Sequence, residues 1–367
     1  MTFDVLTMKN TKDIAAEISA LSIPSKAALK RAGQVLRKED EGANFDSAMR
    51  LLSDWRGLFA FPLNTFNVML RHKCRQLHFN NAIVARRLKR TPSIVAKLKR
   101  FPDMQLDRMQ DIGGVRAVLN TVEEVYKVHD SLVKGRHKHT ALLPPKDYIS
   151  EPKPDGYRGI HQVFKYGTSQ HEELNGMLVE VQIRTKLQHY WATAVETLGV
   201  IEKSSFKTGN GDEKFRHFFR LSSALFSIRE KKAIVASLRE KTHLEIADEF
   251  LSLEEELGVF SKLTAFTSVV QAVAGVENKK HDGYYLLMLD TEKKTTSFIP
   301  FADKQLDIAE QIYTLVEREQ RNKNIDIVLA AAGDMKDLRT AYPNYFVDTK
   351  AFIFYLKQIC SEIKDKH

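Results

Sequence analysis

The segment GMLVEVQIRT, residues 176–185, alternates as a strand does. Val179, Val181 and Ile183 point one way, and Leu178, Glu180, Gln182 and Arg184 point the other. The first face is core. The second carries a carboxylate, an amide and a guanidinium in a row. On an ordinary exposed strand that row would be a solvated face. Here it lies between a basic, proline-rich segment and the helical stretch KLQHYWATAVETLGV, which favours a lined cleft.

The neighbouring segments supply more strands. GIHQVFKYG (159–167) reads as one, and Asp111-Ile112-Gly113-Gly114 leads into another, VRAVLN. Thr121 and Glu124 form a capping box that opens the helix VEEVYKVHDSLVK. Residues 135–158, with Pro144, Pro145, Pro152, Pro154 and Gly156, predict a loop. Residues 1–54 predict helices (DIAAEISAL, PSKAALKRAGQVLRKED and FDSAMRLLSDWRGL). Residues 64–90 predict a further helical stretch broken near Asn80-Asn81. Thr91-Pro92 is a helix start with Thr91 as N-cap, and that helix must stop near Pro102. Residues 212–257 are helical and heavily charged. GYYLLMLD, the turn TEKK and TTSFIPF (283–301) read as a hairpin, followed by a helix from Ala302, the strand IDIVLAAAG and the helix TKAFIFYLKQIC. The expected organisation is an N-terminal helical segment (1–54), a central domain (55–257) and a smaller C-terminal α+β unit (258–367). The expected class is α+β, a mixed and mostly antiparallel sheet flanked by helices.

Composition narrows the function. The chain has 367 residues, 56 Lys+Arg against 47 Asp+Glu, and a formal net charge of +9. A hydrophobic fraction of 43% excludes disorder as the dominant state. Two cysteines exclude a disulfide scaffold and suit a reducing cytosol. No run reaches the roughly 18 apolar residues of a membrane span. Asp4, Lys9, Lys12 and Asp13 break any signal-peptide core, so a cytoplasmic protein without membrane partners is expected. The positive charge is uneven. From Trp55 to Pro102 there is no Asp or Glu, while Arg56, Arg71, Lys73, Arg75, Arg86, Arg87, Lys89, Arg90, Lys97, Lys99 and Arg100 fall there. Such a block attracts polyanions, either nucleotide phosphates or a nucleic-acid backbone.

Chemistry-bearing residues sit around this block. Lys89, Ser93 and Lys97 are spaced by four at a helix start, a natural anion site. Asp111 before one strand and Glu180 within another are the two carboxylates that a Mg²⁺–triphosphate complex requires, phosphate oxygens supplying the other ligands. KDYISEPKPDGYRGIH (146–161) offers Lys146, Lys153, Tyr157 and His161. Tyr157 is placed to stack on a base.

Taken in order, Arg87-Leu-Lys89…Ser93…Lys97, Asp111-Ile-Gly-Gly-Val-Arg116, Lys146-Asp-Tyr-Ile…Pro-Lys153-Pro-Asp-Gly-Tyr157-Arg-Gly-Ile-His161 and Glu180-Val-Gln-Ile-Arg-Thr185 resemble the synthetase domain of the RelA/SpoT family over roughly residues 45–205. The resemblance implies a nucleotidyltransferase-like fold. It implies transfer of pyrophosphate from ATP to the ribose 3′-hydroxyl of GDP or GTP, giving the alarmones ppGpp and pppGpp. It further implies that Arg87 and Arg116 sandwich adenine, that Lys89, Ser93 and Lys97 hold the ATP phosphates, and that Asp111 and Glu180 bind Mg²⁺. Glu180 would be the general base. Tyr157 would stack on the acceptor base, Lys146 and Lys153 would meet acceptor phosphates, and His161, Gln182 and Arg184 would shape that pocket. Family members usually carry Asn where Asp155 stands and commonly Ser where Gly159 stands, so Asp155 sets a negative charge near the acceptor.

Alternatives differ in the acceptor or in activity itself. Toxic relatives pyrophosphorylate the 3′ end of tRNA, which the acid-free block would suit. An adenosine nucleotide is a further acceptor, and a non-catalytic nucleotide sensor a different class. The family's hydrolase activity is not expected, because His129-Asp130 lacks further His and Asp ligands upstream. His72, Cys74 and His78 are expected to be structural, as they lack a fourth ligand at zinc spacing. The C-terminal unit is expected to be regulatory or to bind a partner such as an antitoxin, restraining a toxic synthetase.

Overall fold

Residues 178–185 do form a strand, and it lies at the centre of a five-stranded sheet. The computed structural model describes residues 23–38, 42–169, 171–202, 204, 206, 211–265, 283–290, 295–302, 305, 309, 312–313, 316, 325–332 and 349–365. The expected helix DIAAEISAL, the TEKK turn and most of the expected helix after Ala302 lie outside the described residues.

Three helices come first, α1 (Lys26–Lys38), α2 (Ala43–Gly57) and α3 (Ala60–Gln76). Then follow β1 (Ile83–Leu88), α4 (Thr91–Arg100), β2 (Gly113–Leu119), α5 (Val122–Val133), β3 (Thr140–Asp147), β4 (Ile160–Lys165) and β5 (Leu178–Thr185). The sheet order is β1-β2-β5-β4-β3. Only β2 and β5 run parallel; the other pairs are antiparallel. The mixed, mostly antiparallel sheet expected from the sequence is therefore present. Val179, Val181 and Ile183 are buried on the face covered by α3 and α5, with Phe66, Leu70, Val125 and Val128. Each such side chain contributes about 1.5–3 kcal/mol by leaving water. That burial fixes the register, since a one-residue slip would put Glu180 into this core.

Two segments differ from expectation. Residues 83–88 are a strand, not the end of a helix. The helix stops at Gln76, and His78 turns the chain with a positive φ of 59°. Ile83–Leu88 then pairs along its whole length with β2, a non-local pairing that outweighs local helix propensity. Residues 140–147 are likewise a strand despite Pro144 and Pro145. β3 is an edge strand, and its register shifts between Leu142 and Lys146, where the prolines stand. The start of α4 is also offset. Arg90 is the N-cap residue, and the Thr91 hydroxyl instead accepts a hydrogen bond from Arg56 at 2.8 Å.

The second half of the chain adds α6 (Lys186–Ile201), α7 (Glu213–Glu230) and α8 (His243–Leu257). The sheet β7-β6-β8 is formed from β6 (Gly283–Asp290), β7 (Thr295–Ala302) and β8 (Ile325–Ala332). The last helix, α9 (Lys350–Lys364), does not pack on that sheet's core. It sends Phe352, Leu356 and Ile359 into the core that α6, α7 and α8 build around Phe218, Phe226 and Phe250. Glu230 at the end of α7 ties this core to the main sheet. It pairs with buried Arg158 at 2.6 Å and accepts from Thr185 and from Gln188. Among the described residues no helix is long and apolar enough to cross a membrane.

Leu356 is fully buried, so Leu356→Ala should lower the unfolding free energy by about 2–5 kcal/mol. Urea denaturation followed by far-UV circular dichroism measures this. An unchanged midpoint would show that the α6–α8 core does not depend on α9.

Candidate active site

The face of the sheet opposite α3 and α5 carries the polar residues, and strand register decides which of them meet. Ala85, Arg116, Gln182, His161 and Lys146 are paired in succession across β1, β2, β5, β4 and β3. One pair along, Arg87, Gly114, Glu180 and Val163 form the next row. Gly114 lacks a side chain, so nothing stands between Arg87 and Glu180 on this face. Arg87 and Arg116 are diagonal neighbours, a spacing that long side chains bridge.

Along this row an open cleft is lined by Arg87, Lys89, Asp111, Arg116, Glu180 and Gln182, among others. Lys89 and Lys97 grip Asp111 from two sides, at 3.0 Å to Oδ2 and 2.9 Å to Oδ1. The Asp111 side chain remains 22% exposed, enough to be reached from the cleft. Burial raises the Asp111 pKa, but the charges and hydrogen bonds of Lys89 and Lys97 outweigh it, so the net pKa is lowered. At Lys89 burial wins over the attraction of Asp111, and its pKa is lowered. The pair is thus governed by charge on one side and by desolvation on the other.

Glu180 is wrapped in the same manner. His161 Nδ1 lies 3.0 Å from its Oε1, and the Gln182 amide donates to Oε2 at 2.6 Å. Burial raises its pKa, His161 lowers it by charge and hydrogen bond, Gln182 lowers it further, and the charge of Asp111 pushes back. The net pKa is lowered. The Asp111 effect places the two carboxylates within electrostatic reach of each other. Tyr157 closes the network with its hydroxyl 2.6 Å from His161 Nε2. Burial pushes that phenol up to about 12, so it stays protonated beside His161.

The remaining expected residues join less directly. Lys153 rests over the rings of Tyr148 and Tyr157, at 4.5 and 5.0 Å. Burial lowers its pKa against the pull of Asp155 and Glu180. Lys146 is exposed and pairs with His161 in the β3–β4 ladder. Arg184 shares the strand face of Glu180 and Gln182 but is buried there, 4% exposed and bonded to His189, with Tyr157 and Arg87 in its field. Burial lowers its pKa. Ser93 sits half-buried in the first turn of α4 and does not line the cleft.

Two features were not anticipated. Tyr148 packs edge-on to both Tyr157 and His161, at 5.9 and 5.4 Å, and so completes an aromatic wall; only its place within KDY hinted at this. Asp155 is a turn residue. Its Oδ1 accepts from the Tyr157 backbone at 2.9 Å, which an Asn would do equally well. Gly156 follows with a φ of 94°, the left-handed region that glycine enters freely. The charge of Asp155 acts on Lys153. His129, of the His129-Asp130 pair, meets Gln162 at 3.3 Å, and no group of three metal-type ligands occurs among the described residues.

A two-carboxylate Mg²⁺ site fits this arrangement. Asp111 and Glu180 line one cleft, both have lowered pKa values, and Mg²⁺ takes one or two carboxylates while phosphate and water complete its octahedron. A site built of protein ligands alone does not fit.

The sequence model of the family described as "Region found in RelA / SpoT proteins" matches residues 86–210. GTP pyrophosphokinase YwaC of Bacillus subtilis (strain 168) is 27% identical over 164 residues, 41% of this chain and 77% of that protein. GTP pyrophosphokinase YjbM of the same strain is 34% identical over 117 residues, 31% of this chain and 54% of that protein. The crystal structure of small alarmone synthetase 1 from Bacillus subtilis bound to its product pppGpp shares 27% identity. It covers 47% of this chain and 89% of that one, with a TM-score of 0.41. The motifs at Arg87–Lys97, Asp111–Arg116, Lys146–His161 and Glu180–Thr185 fall within the segment that matches this family's model.

Proposed function

We propose that the protein is a pyrophosphokinase that transfers the βγ-pyrophosphate of ATP to the ribose 3′-hydroxyl of GDP or GTP. The observation that carries this reading is the pair of carboxylates with lowered pKa values, Asp111 and Glu180, facing one cleft also lined by Arg87, Lys89 and Arg116. Phosphoryl-type transfer asks a protein mainly for positioning and charge neutralisation, and this cleft supplies both. The relatives named above support the same reaction.

Arg87 and Arg116 hold adenine between two planar cations. Lys89 and Lys97, released from Asp111 as phosphates enter, neutralise the triphosphate, with Ser93 at the helix start. Bound Mg²⁺ would draw charge from the phosphates at Asp111 and Glu180. Glu180 takes the proton of the 3′-hydroxyl as that oxygen bonds to the β-phosphorus. The bond from the β-phosphorus to the bridging oxygen breaks, and AMP leaves with that oxygen. His161 and Gln182 keep the Glu180 carboxylate ionised and aimed. Tyr157 stacks on the acceptor base with Tyr148 beside it, and Lys146 and Lys153 meet the acceptor's phosphates.

A tRNA 3′ end is the second reading for the acceptor, carried by the acid-free block 55–102. The structure uses up part of that block, however. Arg56 and Arg86 are buried, and Lys89 and Lys97 face Asp111. The guanosine nucleotide is therefore preferred.

Transfer from γ-labelled ATP, with GDP, GTP, ATP and deacylated tRNA offered in parallel, tests the proposal. Label should appear in a guanosine product, and Glu180→Gln should slow it by about 10²–10⁴. Label on tRNA would move the chain to the toxin reading; transfer that survives Glu180→Gln would remove the assigned base. Asp155→Asn keeps the turn's acceptor, so acceptor KM should stay near the wild-type value. Asp155→Ala loses one hydrogen bond and should raise it about 2–10-fold. A large effect of Asp155→Asn would mean that the negative charge itself is used.

The pH dependence has a defined sign. The folded pKa of Glu180 is lowered, so its contribution to stability is complete above the ordinary carboxylate value and is lost as pH falls through the lowered one. His161→Ala removes the main opposing interaction and leaves the burial. The Glu180 pKa must then rise, and the acid limb of kcat against pH should move to higher pH. An unmoved limb would mean that His161 does not tune this carboxylate.

A further inference from the structure

Two buried arginines near the donor side of the cleft find partners at the far end of the chain. Arg56, in the last turn of α2, is 3% exposed. Its Nη1 donates to the Thr91 hydroxyl at 2.8 Å, and its Nη2 donates to the Tyr313 hydroxyl at 2.8 Å. Arg86, on β1, is 4% exposed and stands 4.8 Å from the centre of the Tyr284 ring. Tyr284 and Tyr313 share an apolar cluster with Leu286, Phe301 and Ile327, and Leu88 of β1 packs on that cluster. β8 lies alongside β1 without joining its ladder.

These contacts fall on either side of the residues assigned to ATP. Arg86 precedes Arg87, Leu88 precedes Lys89, and Thr91 opens the helix that carries Ser93 and Lys97. β1 is an edge strand among the described residues, so one of its sides has no ladder partner there to hold it. Among the described residues, none from 283–332 lines the cleft. The C-terminal sheet therefore stands beside the donor site and does not plug it. A buried guanidinium must be paired, and a single guanidinium that bridges Thr91 and Tyr313 couples the position of α4 to that of the C-terminal unit.

We propose that the C-terminal sheet is a clamp on the donor half of the site. Arg56 and Arg86, through Tyr313 and Tyr284, are positioning residues that hold β1 and the start of α4 in their ATP-binding geometry. This rests on the pyrophosphokinase reading for the identity of the nucleotide, but not for the clamp itself. The clamp differs from a repressing domain in sign: loosening it weakens donor binding and does not release activity.

The test uses the full chain with Tyr313→Phe, which removes one hydroxyl, Tyr284→Leu, which removes one ring, and Tyr284→Phe, which keeps the ring. Amide hydrogen exchange over residues 83–94 and equilibrium binding of a non-hydrolysable ATP analogue are measured on each. Tyr313→Phe and Tyr284→Leu should speed exchange over 83–94 while leaving α7 and α8 as they are. They should weaken the analogue by roughly three- to tenfold, in line with the loss of one interaction of a charged group. Tyr284→Phe, which keeps the ring beside Arg86, should stay nearer the wild type than Tyr284→Leu. Unchanged exchange over 83–94, an equal rise along the whole chain, or tighter analogue binding in the variants would each overturn the clamp. Failure of the wild type itself to bind the analogue would count against the pyrophosphokinase reading, and the exchange result would still decide the clamp.

Discussion

A carboxylate in the middle of a central strand is penalised for the charge it needs. Burial alone would raise Glu180's pKa and neutralise it. His161 and Gln182 reverse that, and the same problem is met at Asp111 by Lys89 and Lys97. Much of the sheet can be read as the support for these two charges. Val179, Val181 and Ile183 pin the register from the other face, and Gly114 keeps the space above Glu180 clear. The turn at Asp155 and Gly156 delivers Tyr157 to His161. The buried Arg158–Glu230 pair fixes that turn against α7.

The parts legible in the sequence are those set by short periods. Alternation over 176–185 showed a core face and a polar face, because side chains of a strand alternate whatever the rest of the fold does. The spacing of Lys89, Ser93 and Lys97 brings two lysines to one carboxylate, Asp111, although Lys97 lies in the last turn of the helix and Ser93 is peripheral to the cleft. What escaped was set by distant partners. IVARRL reads as helix until β2 pairs with it, and the prolines of 144–145 read as loop until the strand is seen to be an edge. Arg184 shares the parity of Glu180 and Gln182, yet the packing of α6 buries it. The Arg56–Tyr313 bond spans 257 positions, beyond the reach of any local pattern.

The C-terminal third changes character in the same light. Its strands form a sheet beside β1, while its last helix completes the core of α6, α7 and α8. The described residues of this unit thus touch both β1 and the helical core. That is what a supporting element does, and it makes the donor geometry depend on residues far outside the matched region.

Asp111 and Glu180 are proposed to act together on one nucleotide phosphate group. Crystals soaked with Mn²⁺ and a non-hydrolysable ATP analogue test it most directly, because Mn²⁺ gives an anomalous signal and substitutes for Mg²⁺. A single strong peak is expected between the two carboxylates, with the analogue's phosphates against Lys89 and Lys97. A nucleotide bound elsewhere, or a metal held by neither carboxylate, would contradict it.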